Sequence, residues 1–174
     1  MKVELIASTP MPETLCGTAA AICTDSDHPE RSLKHALAGG HTGVLEHAVF
    51  TFRVSELSRA ALAQLTRHRL ASFDVQSQRY VKAHNFETII PPAVAAIPEA
   101  KEKFETCMQN LQDLYNDLTD HYNIANEDAR YVLPNAAETK IVCTFNARSL
   151  YNFFSLRCCN RAQWEIRELA WKML

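Results

Sequence analysis

Apolar and polar positions alternate in some stretches of the chain and recur at helical spacing in others. Residues 2–7 (KVELIA) open with a short strand pattern. Residues 12–23 and 28–38 carry helical spacing. The second of these helices is opened by Asp27 as N-cap, with Pro29 in its first turn, and closed by Gly39-Gly40. From 47 to 54 the period drops to two. Ala48, Phe50, Phe52 and Val54 fall on one side and His47, Val49, Thr51 and Arg53 on the other, a strand with one apolar face. Ser55 then caps a predicted helix, SELSRAALAQLTRHR, in which Leu57, Ala61, Leu62 and Leu65 repeat at helical intervals.

Pro91, Pro92 and Pro98 precede a longer pattern. Phe104, Met108, Leu111, Tyr115, Leu118 and Tyr122 are spaced alternately by four and three, which predicts one long amphipathic helix. Its stripe suits packing on a core or on another helix, and also the seating of a second subunit. Residues 137–145 alternate again, with Thr139, Ile141, Cys143 and Phe145 on one face, and 146–159 and 162–174 read as two closing helices. The expected class is α+β: a single domain over 1–174, with an antiparallel sheet flanked by helices. A chain of 174 residues buries a real core, and no repeat, low-complexity tract or linker divides it.

Composition narrows the function classes. Apolar residues make up 47% and charged residues 22%, as in ordinary globular proteins. The net charge of −2 lacks the basic excess with which a general nucleic-acid binder neutralises phosphates, so no nucleic-acid partner is expected. No apolar run approaches the ~20 residues of a membrane span. The start, MKVELIASTPMPET, lacks the apolar core and cleavage site of a signal peptide. A cytoplasmic protein with reduced thiols is expected. Cys16, Cys23, Cys107, Cys143, Cys158 and Cys159 form no C-x-x-C pair, which argues against zinc and thioredoxin-type chemistry. Adjacent Cys158 and Cys159 read as packing residues.

Against this near-neutral background, RHRLASFDVQSQRY (67–80) gathers Arg67, His68, Arg69 and Arg79. Cations at the end of a helix complement its dipole, which is one reading. The other is an anion site. If 71–80 is extended, Ser77 and Arg79 share a face, and a hydroxyl beside a guanidinium clamps a phosphate. Phe73 and Tyr80 add flat surfaces for a stacked ring.

A second group lies in NARSLYNFFSLRCCNRAQWEIR, where Leu150, Phe153, Phe154 and Arg157 share one helical face. An arginine on a buried face is costly unless an anion meets it. A core carboxylate such as Glu127, the solvent reached by snorkelling, or a bound anionic ligand would each serve. Asn146, Arg148 and Asn152 lie nearby in sequence, and Arg130 sits in EDARYVLP, just before Pro134 ends that helix. A third group, HTGVLEH, holds His41, Glu46 and His47. On an α-helix these histidines stand about 240° apart, so no metal site is expected.

Taken together, these segments resemble a known family. Arg67-His68-Arg69, seven further residues and then Ser77 resemble the signature of the flavin-dependent thymidylate synthases. HTGVLEHAVFTFRV upstream, and EDARYVLP, NARSLYNFFSLR and AQWEIR downstream, resemble other segments of that family in the same order. The resemblance implies methylation of dUMP to dTMP, with methylenetetrahydrofolate giving the carbon, NADPH the reducing equivalents and FAD carrying the hydride. It implies a homotetramer with active sites between subunits.

By the same resemblance, Glu46, Arg67, His68, Arg69, Asn146, Arg148 and Asn152 contact FAD. His41 and Tyr80 lie at the flavin face, where folate or NADPH approaches. Gln64, Arg67, Ser77, Gln78, Arg79, Arg130 and Arg157 hold dUMP. Arg157 is the catalytic residue that stabilises negative charge on the uracil ring, and no cysteine nucleophile is needed. Four positions depart from the family's usual residues: Gly43, Asp74, Val75 and Arg161, the last standing where a flavin-contacting histidine is common. These departures keep open a rival class, an FAD- or nucleotide-binding homologue without turnover.

Overall fold

Four strands form one antiparallel sheet in the order β1-β2-β4-β3: β1 (Lys2–Ser8), β2 (Val49–Ser58), β3 (Ala71–Val75) and β4 (Glu138–Asn146). The computed structural model describes residues 1–174. Around the sheet in sequence run α1 (Pro12–Cys23), α2 (Pro29–Ala38), α3 (Arg59–Leu65), α4 (Pro92–Ala95), α5 (Pro98–Asn116), α6 (Asn126–Ala129), α7 (Ala147–Arg157) and α8 (Trp164–Met173). The class is α+β, with α5 as the long amphipathic helix. The chain makes two compact units: Met1 with 55–65 and 75–141, and 2–54 with 66–74 and 142–174.

Period two decides β4. Thr139, Ile141, Cys143 and Phe145 are all buried, while the residues between them are exposed or half-exposed. The same alternation buries Ala48, just before β2, and Phe52 and Val54 within it, then breaks. Glu56 takes a left-handed conformation, φ +58°, and the next core residue is Leu57. This kink re-aims the strand as a bulge does. It also corrects the helix expected from Ser55: the strand runs to Ser58, and the cap is Ser58, whose Oγ accepts from the Ala61 N–H at 3.0 Å. The Glu56 N–H donates to Glu138 Oε1, and its carboxylate pairs with the Met1 ammonium at 3.0 Å.

Within the second unit, α1 packs on α2, and both touch a 3-10 segment, Thr42–His47. A Cβ on Gly17 of α1 would lie 3.0 Å from the Pro29 carbonyl oxygen, so glycine allows that approach without displacing the start of α2. α7 packs on the same 3-10 segment and on α8. Cys16, Ala48, Phe145, Phe153, Ile166 and Leu169 belong to its core. The N-cap of α2 is His28 rather than Asp27, and Ser26 Oγ accepts from its N–H. α8 begins at Trp164, because the Gln163 side chain accepts from the Glu165 and Ile166 N–H groups.

In the other unit, α5 stops at Asn116 and continues as a π turn, Asp117–His121. Of the striped residues Tyr115 is fully buried, whereas Tyr122 lies beyond the turn and is exposed. The segment expected to be extended through residue 80 is strand only to Val75. From there the chain turns, with the Arg79 N–H donating to Ser77 Oγ at 3.2 Å. That local hydroxyl bond competes with the strand ladder and explains the difference.

Candidate functional site

α7 starts where β4 ends. Asn146 closes the strand, and its Oδ1 accepts from the Ser149 N–H at 2.8 Å as the helix N-cap. The next residue is held by a backbone bond from its N–H to the Ala48 carbonyl, at 2.8 Å. Arg148 then pairs with Glu46 of the 3-10 segment. This joins two residues that the sequence assigned to one cofactor. Asn146 has its oxygen committed to the cap, leaving its NH₂ as the remaining donor.

Along the same helix Leu150 and Phe153 are buried, and at its last residue Arg157 is half-buried. The partner of Arg157 is neither Glu127 nor solvent alone. Its Nε–H donates to His68 Nε2 at 3.0 Å. Because Nε2 accepts, the imidazole is neutral with its proton on Nδ1. Burial, and then the Arg157 charge, hold the His68 pKa below its ordinary value, in agreement with that tautomer. The His68 ring meets Phe153 edge-on at 5.0 Å. An uncharged, aromatic-backed partner therefore orients the guanidinium without neutralising it.

Arg67 and Arg69 flank His68 beyond the end of α3 and are exposed, as are Asn152, His41 and Arg161. None of these is bonded to another of the expected site residues. Arg161 instead faces Cys159 and lowers its thiol pKa through backbone and side-chain hydrogen bonds. At Gly43 a Cβ would meet nothing within 4 Å, so packing does not demand glycine there. The 3-10 geometry of 42–47 alters the angular argument for His41 and His47. At 3.0 residues per turn they return toward one azimuth, but about 12 Å apart along the axis. No group of three or more His, Cys, Asp or Glu is placed to hold a metal ion.

The other unit gathers Ser77, Arg79, Tyr80 and Arg130. Arg79 Nε–H donates to Glu127 Oε2 at 2.8 Å, its guanidinium lies 5.7 Å from the Tyr80 ring centroid, and Arg130 Nε–H donates to the Glu127 carbonyl at 3.0 Å. Gln64 is half-buried on α3, and Gln78 lines a cavity of about 210 Å³ with Ser77, Lys82, His84 and Lys140. A larger hollow, about 450 Å³, lies along Glu99 to Asn110 of α5 and holds none of the site residues.

Arg59 was not singled out from sequence. Burial, and then the charge of Arg130, pull its pKa below the ordinary value, so the two cations sit close. The signal was present: an arginine opening a helix stands at the positive end of its dipole, where cations are disfavoured.

The flavin-dependent resemblance is decided by comparison with known proteins. Residues 4–174 match the family described as "Thymidylate synthase complementing protein". The chain belongs to the flavin-dependent thymidylate synthase family. The flavin-dependent thymidylate synthase of Geobacter sulfurreducens is 47% identical over 188 residues, covering 100% of this chain and 81% of that protein. That of Clostridium tetani is 40% identical over 201 residues, with the same two shares. A crystal structure of the family's enzyme from Helicobacter pylori, complexed with FAD and dUMP, superposes with a TM-score of 0.79 at 29% identity, covering 99% of this chain and 92% of that one. Membership in this family makes the chain an enzyme, a thymidylate synthase that depends on flavin.

Proposed function

We propose that the enzyme reductively methylates dUMP to dTMP, with FAD bound, methylenetetrahydrofolate as carbon donor and NADPH as reductant. The observation that carries this reading is Arg157, a half-buried cation whose partner is a neutral histidine. A guanidinium oriented in this way stabilises negative charge as it develops on a pyrimidine ring, and its rigid partner spares reorganisation at that moment. Ser77, Arg79 and Arg130 supply the hydroxyl and guanidinium donors for a nucleotide phosphate, with Gln64 and Gln78 as amide donors and acceptors. Glu127, which now holds Arg79, yields it when the phosphate arrives.

The donor set also suits FAD. Arg67 and Arg69 are exposed cations suited to a pyrophosphate. Asn152, the Asn146 NH₂ and the Arg148–Glu46 pair offer the donors and acceptors that a flavin edge needs. When bound, FAD supplies the hydride chemistry that side chains lack. His41 and Tyr80 serve the approach for folate or NADPH, and Arg161 stands in for a flavin-contacting histidine, offering its guanidinium to a phosphate or carbonyl.

No cysteine nucleophile is required. Burial pushes the Cys143 thiol up to about 12 and raises Cys16 and Cys158, which leaves them protonated. Hydrogen bonds from Arg161 lower the Cys159 pKa, so Cys159→Ser is the decisive substitution. Its turnover is expected to stay within about twofold of the parent, measured by the same assay as below.

Both units serve one functional domain, 1–174, in a homotetramer whose subunits complete each other's sites. Support comes from apolar side chains left exposed on β1 (Leu5, Ile6), α1 (Ile22), α7 (Tyr151) and α8 (Trp171), more than an isolated chain needs. Sedimentation at micromolar concentration is expected to give a tetramer. No helix is long and apolar enough to cross a membrane, and all six cysteines are free, which supports the cytoplasm as the compartment.

Tritium release from dUMP labelled at carbon 5 tests the reaction. Release that requires FAD, NADPH and methylenetetrahydrofolate together supports it. A flavin spectrum and dUMP binding without release would instead assign a binding homologue, and would direct attention to Val75 and Arg161.

A further inference from the structure

The segment after Val75 is tied down at both feet and at its tip. The Gln76 N–H donates to the Lys140 carbonyl at 2.9 Å, and the Glu138 N–H donates to the Glu87 carbonyl at 2.8 Å, so β4 holds both ends. Between the feet, α5 and its π turn grip the chain. The Ala83 N–H donates to Tyr115 Oη at 3.0 Å. Gln112 accepts from the Phe86 N–H at 2.6 Å and donates to the Ala83 carbonyl at 3.0 Å and to Asn116 Oδ1 at 2.9 Å. His84 Nδ1 bonds Asn116 at 3.0 Å, and Lys82 pairs with Asp120.

The two inner residues of this grip differ from the outer ones. Tyr115 is 0% and Gln112 5% exposed, whereas Lys82, His84 and Asp120 are open to solvent. Exposed pairs contribute little, so the holding power lies in Gln112 and Tyr115. A buried glutamine that spends its whole amide on two backbone groups and one neighbour fixes a backbone geometry. The first residue so fixed, Ala83, lies three positions after Tyr80 in the segment Ser77, Gln78, Arg79, Tyr80, and the Val81 N–H bonds back to the Ser77 carbonyl at 3.0 Å.

We propose that Gln112 and Tyr115 are positioning residues for the dUMP-binding turn 77–80, holding it in the binding-competent conformation. This rests on the dUMP assignment above. Neither residue touches substrate. They act by keeping the competent state populated, and apparent affinity falls in proportion when that population falls.

The test compares wild type, Tyr115→Phe, Gln112→Leu and the double variant. Gln109→Leu serves as a control that removes a bond on the outer face of the same helix. The dUMP dissociation constant, the KM and kcat for dUMP, the FAD dissociation constant and amide exchange over 76–88 are measured on each. The double variant is expected to bind dUMP about 5- to 30-fold more weakly, with KM rising in parallel. Its kcat at saturating dUMP and its FAD affinity stay within about twofold, and exchange quickens within 76–88 but not in β4. Tyr115→Phe retains the ring and gives the smaller part of the effect.

Unchanged dUMP affinity in the double variant overturns the positioning role. Parallel loss of FAD affinity, kcat and global stability overturns it too, by showing a merely structural role. A wild-type chain that binds FAD but no dUMP overturns both the dUMP assignment and this role, a result distinct from the first two.

Discussion

Arg157 ends a helix half-buried and bonded to an uncharged imidazole, whereas Arg79 stands on an exposed turn and is paired with a carboxylate. The side chains are the same and the settings opposite. Around Arg157 the fold provides orientation without neutralisation, the condition for a cation meant to act on charge that appears only during a reaction. Around Arg79 it provides a placeholder. Glu127 keeps the guanidinium aligned in water, and on the proposed reading an arriving phosphate exchanges one anion for another. Chemistry calls for the first arrangement and binding for the second.

The sharpest way to break this contrast is to remove each arginine. Arg157→Ala is expected to lower turnover by about 10²- to 10³-fold, with dUMP still bound, measured by tritium release under saturating substrate. Normal turnover in that variant would end the assignment. Arg79→Ala is expected to act on affinity instead, raising the dUMP KM by about 10- to 100-fold, the scale of a lost charged hydrogen bond, with kcat little changed.

The histidine sharpens it further. His68 has a folded pKa below the ordinary 6.5 because burial, and then Arg157, disfavour its charged form. In the pH range between the two values the unfolded chain binds more protons than the native one. The stability contributed by neutral His68 is thus full above about 6.5 and is lost as pH falls through the folded value. Urea midpoints are expected to drop between pH 7.5 and 5 in the wild type, and to drop less in His68→Gln. The smallest effect belongs to Glu127→Gln. Its exposed pair with Arg79 contributes at most about 1 kcal/mol, so thermal stability barely moves, while dUMP affinity rises slightly because the competing anion is gone.

How far the sequence reveals all this depends on distance along the chain. β4 is legible because period two needs no partner to be seen, and Thr139 to Phe145 fall on the buried face as the alternation predicts. The start of α3 is not legible, because Ser55 and Ser58 offer the same hydroxyl, and only the left-handed turn at Glu56 selects the second. Among the site residues, the guanidinium groups are visible as charge in a near-neutral chain. Their partners are not. Glu127 is a reasonable acceptor for any arginine, and that it takes Arg79 while Arg157 takes His68, 89 residues away in sequence, is decided by tertiary packing. Gln112 and Tyr115 are visible only as helical neighbours at i and i+3. The backbone groups they hold carry no sequence signature at all.

Asn146 is at once the last residue of a strand and the cap of the helix that ends in Arg157. That double duty makes β4 a ruler for the second unit. A residue inserted in a surface loop is absorbed locally. One inserted within β4 would turn a stretch of the strand inside out, or else push the cap out of place and draw Arg148 away from Glu46. The chain's tolerance for changes of length is therefore lowest in a stretch whose own side chains, Ile141 to Phe145, perform no chemistry.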